Sequence, residues 1–379
     1  MLPSLVTKML FRQARDRYFS DVFFKRKFQI FSAGFLYVAL TFLIGITHAA
    51  SSTSSYRVVD VGDLEQTSNG IVRALNANGD IVGSSSGLGT GTRAFVLTKE
   101  RFENLDGLPG ADWSSSHAIN DQGAVVGSSN TLTSLRGFIW TRGGPLRELA
   151  TLPGDSSSEA FGINRDNEVV GYSSGPNGIE AVLWTSDGKV QGLGKLLDGD
   201  YSRSYAISER SEVVGSSGDS NRKRAFIWSR DGGMEDLGTL TDNGRSEAFA
   251  INSRSEVVGY SGPLGRTRAF RWIRDTGMQD LGTLPGGSYS RALSINDRGE
   301  VVGSSDSALG SRAFLWTASR GMQDLNTLIP RGSDFVLFEA VSVNDRGMIL
   351  ALGSDADGPG HDHGDHEAPA RVFILVPES

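Results

Sequence analysis

Ser294-Ile295-Asn296-Asp297-Arg298-Gly299-Glu300-Val301-Val302-Gly303-Ser304, with Arg312-Ala313-Phe314-Leu315-Trp316 soon after, is the stretch on which the fold turns. Apolar and polar residues alternate in short runs, and turn residues separate the runs, so the pattern reads as strands. Taking the unit from Arg291 to Leu325, strand A is Arg291 to Ile295, strand B Glu300 to Ser304, strand C Ser311 to Thr317 and strand D Met322 to Leu325. Between A and B, Asn296 is placed to hydrogen-bond the turn backbone and Gly299 to take a positive φ, which predicts a tight hairpin.

The same unit recurs along the chain. Gly83, Gly127, Gly171, Gly215, Gly259 and Gly303 each close a Val-Val-Gly or Ile-Val-Gly tripeptide, always 44 residues apart. Val61 and then Leu105, Leu149, Leu193, Leu237, Leu281 and Leu325 keep the same step, as do Trp140, Trp184, Trp228, Trp272 and Trp316. Five of the six tryptophans share that one column, which reads as core packing. In the fourth unit Ser208 and Ser211 replace both key hairpin residues, so that hairpin should be the least rigid.

Four short antiparallel strands per 44 residues fit a propeller blade, and seven units predict an all-β, seven-bladed β-propeller. The position before the Ile/Leu/Val-Asn pair is always small (Ala74, Ala118, Gly162, Ala206, Ala250, Ser294, Ser342), as strands converging on an axis require. On strand C, Phe314 and Trp316 should face one neighbouring blade, Ala313 and Leu315 the other. The seventh unit stops before a strand D, while Tyr56 to Val61 precedes the first strand A, so an N-terminal strand is expected to pair near Arg371 to Leu375 and close the ring.

Ser294 to Ser304, Arg312 to Trp316 and Gly277-Met-Gln-Asp-Leu-Gly-Thr-Leu284 resemble the HAF family of bacterial extracellular repeat proteins. The resemblance covers Tyr56 to Gly353 and part of the C-terminal strand. It implies an exported repeat protein and no particular activity. The histidine of the family's His-Ala-Phe label is replaced here by Arg93, Arg224, Arg268 and Arg312, so that position is not a candidate catalytic histidine.

With 379 residues, no cysteine and 48 glycines lacking a three-residue period, the chain is neither a disulfide scaffold, a thiol enzyme nor a collagen. Seven basic side chains fall within residues 1–29, followed by an uncharged run from Phe28 to Ala49 ending Thr47-His48-Ala49. That reads as a signal peptide over residues 1–49, or an uncleaved anchor of spanning length. Either reading exports residues 50–379 to a secreted, extracellular or periplasmic location, with membrane contact only through an uncleaved N-terminal segment. Met9 competes with Met1 as the start. Beyond residue 29 there remain 30 basic against 42 acidic side chains, a poor balance for binding nucleic acid.

No reaction is announced. Gly83-Ser84-Ser85-Ser86-Gly87 and Gly171-Tyr172-Ser173-Ser174-Gly175 match the nucleophile-elbow string, but lie at the end of strand B in an all-β repeat, not in a strand-to-helix turn. Arg271 stands in an aliphatic column (Ile139, Leu183, Ile227, Leu315) and is expected to reach the rim along its stem rather than meet a buried acid. The D-to-A loops are expected to hold His117, Tyr201, Arg203, Arg245, Tyr289 and Arg291, aromatic and arginine side chains of the sort binding sites use. The reading is a binding or scaffolding module for an extracellular glycan or protein ligand; the alternative is a propeller hydrolase or lyase acting on an extracellular glycan. From Gly303 to Trp316 is 13 residues and from Gly353 to Leu375 is 22, so the last B-to-C loop has gained nine, an insertion at about 354–368. Its His361, His363 and His366, interleaved with carboxylates, suit a divalent metal such as zinc, nickel or copper; a solvated acidic loop is the competing reading.

Overall fold

A computed structural model describes residues 55–62, 70–87, 91–99, 101–196, 199–219, 222–242, 244–263, 265–356 and 370–378. The segment expected to be a signal peptide, residues 1–49, and His361, His363 and His366 lie outside them. Among the described residues, apart from one 3-10 turn, Leu325–Thr327, every regular element is a strand. Each repeat unit folds as an antiparallel meander, for example Ile71–Leu75, Ile81–Gly87, Gly91–Leu97 and Phe102–Leu105. The inner strand of each unit lies beside the inner strands of its two neighbours, the seventh unit's beside the first's, so these strands surround an axis.

The sheets form a β-propeller, although they do not separate as seven four-stranded blades. Five stand as four-stranded sheets, and the third and fourth units share one eight-stranded sheet. The join is a single parallel bridge, Ile179 to Tyr201. It forms because strand C of the third unit starts at Gly178, straight after a tight turn, and reaches the first residue of the next unit's inner strand.

Every inner strand carries a β-bulge at the same place, between Val72/Ala74, Ser116/Ala118, Ala160/Gly162 and so on through the units. The bulge explains the glycine column. A Cβ on Gly83 would lie 1.9 Å from the Ile71 carbonyl oxygen, and one on Gly171 1.8 Å from that of Glu159. In the last unit Ala351, not Gly353, pairs as Gly303 does, and a second bulge at Leu337/Glu339 accompanies the change. The inserted loop is therefore longer by eleven residues rather than nine, counting from Ala351 to Leu375.

Core packing lies between units. Phe314 and Trp316 cluster with Val258 and Ala269 of the preceding unit, while Ala313 and Leu315 cluster with Leu337 and Ala340 of the next. Val72 and Phe95 meet Leu350 and Val372, so the first and last units share a core as well. The tryptophan column is buried throughout, 1–5% exposed. Serines tie the sheets across the same interfaces: the fully buried Ser114, Ser158, Ser202, Ser246 and Ser290 accept from backbone N–H groups of Ala94, Gly137, Ala181, Ala225 and Ala269.

Two further contacts hold the ring. Tyr56–Gly62 pairs antiparallel with Arg371–Pro377, completing the last sheet. Arg371 clamps this seam, 2.6 Å from Asp60 and 2.8 Å from Asp355. At the hairpin face, asparagine side chains donate from unit to unit: Asn76 to the Asn120 carbonyl, Asn120 to Asn164, Asn164 to Ser208, Asn252 to Asn296, Asn296 to Asn344, and Asn344 back to Asn76 at 2.8 Å. The chain of bonds breaks at Ser208, whose hydroxyl caps its own turn at 3.2 Å but does not span to the next unit. Ser211 holds φ 60° where most units use glycine, and its hydroxyl leans on Glu168.

Candidate functional site

The bulged residue of each inner strand is left out of the ladder, and in successive units four of these residues meet one another. Down the units this position reads Arg73, His117, Phe161, Tyr205, Phe249, Leu293 and Val341. Four successive rings touch: His117 stacks on Phe161 at 5.1 Å, Phe161 meets Tyr205 at 5.7 Å, and Tyr205 meets Phe249 at 5.7 Å. Tyr172 and Tyr260, on the second strands, extend the wall at 5.9 Å from Phe161 and 5.6 Å from Phe249.

Two residues before the bulge runs a row of alternating charge, Glu159, Arg203, Glu247, Arg291 and Glu339. Most of it is internally matched. The Tyr172 hydroxyl donates to Glu159 at 2.8 Å, and the Tyr260 hydroxyl to Glu247 at 2.6 Å, where the Lys223 ammonium also sits at 2.9 Å. Arg291 pairs with Glu339. Burial, followed by the neighbouring carboxylates, pushes the phenols of Tyr172 and Tyr205 well above their ordinary range, and burial with the Glu247 bond does the same for Tyr260, so all three stay protonated donors.

His117 is held the other way. Burial pulls its imidazole down to about 4, with a smaller push from Arg73, against the raising effect of the Ala160 carbonyl. The neutral ring donates Nδ1–H to that carbonyl at 2.9 Å, which leaves Nε2 as an acceptor.

The structure corrects the placing of the six expected ligand-binding residues. They are not loop residues: five lie in inner strands, and Tyr289 immediately precedes one. They occupy three separate rows. His117 is a bulge residue, Arg203 and Arg291 belong to the charged row, and Tyr201, Arg245 and Tyr289 sit one step nearer the rim. Tyr289 lies close enough to Tyr260 and Arg291 to act on their charge states. The Tyr201 hydroxyl is buried without a hydrogen-bond partner. Phe161, Tyr205, Phe249, Tyr172 and Tyr260 were not anticipated; the signal for the first three was the residue just before the small column, large and variable beside a position that is always small, while Tyr172 and Tyr260 directly follow the column glycines Gly171 and Gly259.

Two other readings are settled by contacts. Arg271 does meet a buried acid, Glu256 at 2.7 Å, and does not run to the rim; both side chains are nearly enclosed. Ser173 of the second elbow-like string is fully buried, accepting from the Leu152 amide and donating to Asp155, so it is a structural serine. Elsewhere, a cleft of about 470 Å³ is lined by Glu168, Asp187, Lys189 and Arg230, whose charges already pair with one another.

No known family pattern and no curated protein matches this chain. Solved structures do match in fold. A streptogramin B lyase is 10% identical, covering 86% of this chain and 100% of that one, with a TM-score of 0.52. An oligogalacturonate lyase from Vibrio parahaemolyticus is 12% identical, covering 85% and 97%, at 0.54. The β-propeller domain of the Trilobed protease from Pyrococcus furiosus is 10% identical, covering 82% and 94%, at 0.50. At such identity the likeness is one of fold, and it places this chain among the β-propellers.

Proposed function

We propose that the chain is an exported repeat protein of the HAF type, a seven-bladed propeller that serves as a binding or scaffolding module at the cell surface or in the extracellular space. The blade count treats the eight-stranded sheet as two blades. It is supported by the single bridge that joins them, and by the Ala181–Ser202 contact at that join, which repeats the contact found between separate sheets. One observation carries the binding reading: the unbroken line of rings from His117 to Phe249, set beside a charged row on rigid inner strands. Aromatic faces and fixed polar groups are the usual means of holding a sugar or protein ligand. A glycan and secreted-protein binding screen, run with the chain and with a Phe161→Ala/Tyr205→Ala variant, tests it. Ligands lost in the variant while its melting temperature holds support the reading; ligands retained there remove it.

A second reading, a lyase or hydrolase acting on an extracellular glycan, draws on His117, whose neutral imidazole keeps a free proton acceptor at the same wall. Product release from a glycan that binds, abolished by His117→Gln with binding intact, would favour it.

A further inference from the structure

We propose that the aromatic wall between Arg73 and Arg203 takes a carboxylate-bearing sugar ring, a uronic-acid residue of a glycan; the inference rests on the binding reading above and adds the charge of the ligand. The stretch of wall formed by His117, Phe161 and Tyr172 lies between two guanidiniums. Arg73 is the exposed bulge residue of the first unit and acts electrostatically on His117. Arg203 lies 4.9 Å above the Tyr172 ring, and its Nε is buried without a partner. Among the described residues neither guanidinium forms a hydrogen bond to a carboxylate or any ion pair, unlike Arg291 in the same charged row.

The neighbouring carboxylates are already committed, Glu159 to Tyr172, and Glu247 to Lys223 and Tyr260. Within a chain of net charge −7, Arg73, Arg203 and Lys223 against Glu159 and Glu247 leave this wall with one positive charge in excess. An arginine over an aromatic face, with its fork unfilled, is suited to bidentate capture of a carboxylate. The apolar C–H face of a pyranose ring matches the faces of Phe161 and Tyr205, and the His117 Nε2 offers an acceptor for a hydroxyl.

Calorimetric titration of the full chain compares a uronic-acid trisaccharide, its carboxyl-reduced neutral counterpart and a triglutamate peptide. The acidic sugar should bind at least about tenfold more tightly than either control. Arg203→Met and Arg73→Gln should each weaken it about tenfold and erase the preference for the carboxylate, at unchanged melting temperature. The proposal is overturned if the acidic sugar does not bind, if the reduced sugar or the peptide binds as well, or if neither arginine variant alters affinity. Binding of the reduced sugar that disappears in Phe161→Ala would keep the binding reading and discard the anionic specificity.

Discussion

A single imidazole shows how far the inner wall departs from solvent. His117 titrates at about 4 in the folded chain, whereas an unfolded histidine titrates near 6.5. The folded state therefore binds fewer protons between those values, and stability must fall as pH drops through that window, levelling off below about 4. Denaturant unfolding at pH 7 and pH 5 should show the native chain losing roughly 1–2 kcal/mol more than His117→Gln. An equal loss in both would show that His117 is not buried as described. Trp228 makes the contrasting case, an apolar side chain 4% exposed between the third and fourth units. Trp228→Ala should cost about 3–5 kcal/mol by calorimetric melting, and should affect ligand binding only through unfolding. The tryptophan was legible in the sequence because all members of its column do the same job. Arg271 was not. Its acid, Glu256, lies across the sheet and belongs to a column that is acidic in other units too, so nothing marked it as the partner.

At the scale of the element, the hairpin could be read and the bulge could not. Asn296 accepts from the amides of Arg298 and Glu300, as its place before a turn predicts. That its amide also donates to the next unit is a product of the ring and has no local signature. The bulge inserts one residue into a strand too short for its alternation to show a slip. In six of the seven units the glycine opposite records it, since a Cβ there would strike a carbonyl oxygen. The unanticipated aromatic wall follows from the same omission, because its members share a position but no chemistry. The asparagine ring gives a direct test. Ser208→Asn supplies the one missing donor, facing Asn252 as Asn164 faces Ser208, and the unit already has its turn geometry. The substitution should stabilise the chain by about 0.5–1.5 kcal/mol, read as a rise in denaturation midpoint. No change would mean that the inter-unit asparagine bonds contribute nothing net over water.

For the whole molecule, the decisive feature is the seam. A row of sheets with identical faces has no intrinsic end, and an open row would leave a bare strand edge and an uncovered apolar flank. Here the first unit packs on the last through Val72, Phe95, Leu350 and Val372, Asn344 bonds back to Asn76, and Tyr56–Gly62 supplies the fourth strand of the last sheet. This closure was legible because the last unit lacks its own final strand while an unassigned one precedes the first. The strand and the Arg371 clamp that holds it are not equal. Arg371 is only 20% exposed, but its partners Asp60 and Asp355 are 41% and 70% exposed, so solvent and salt screen the clamp and Arg371→Ala should cost no more than about 1 kcal/mol. Removing the strand is a different matter: it unpairs the backbone of Arg371–Pro377 and uncovers Tyr56's site beside Leu328 and Leu337, which water cannot fill without loss. Deleting residues 50–62 should therefore lower the melting temperature sharply and drive self-association through the exposed edge, seen as oligomers or aggregate in size-exclusion chromatography with light scattering, whereas Arg371→Ala stays monomeric. A truncated chain that remained monomeric with an unchanged melting temperature would show that the ring is held by its cores alone and that the N-terminal strand is an accessory.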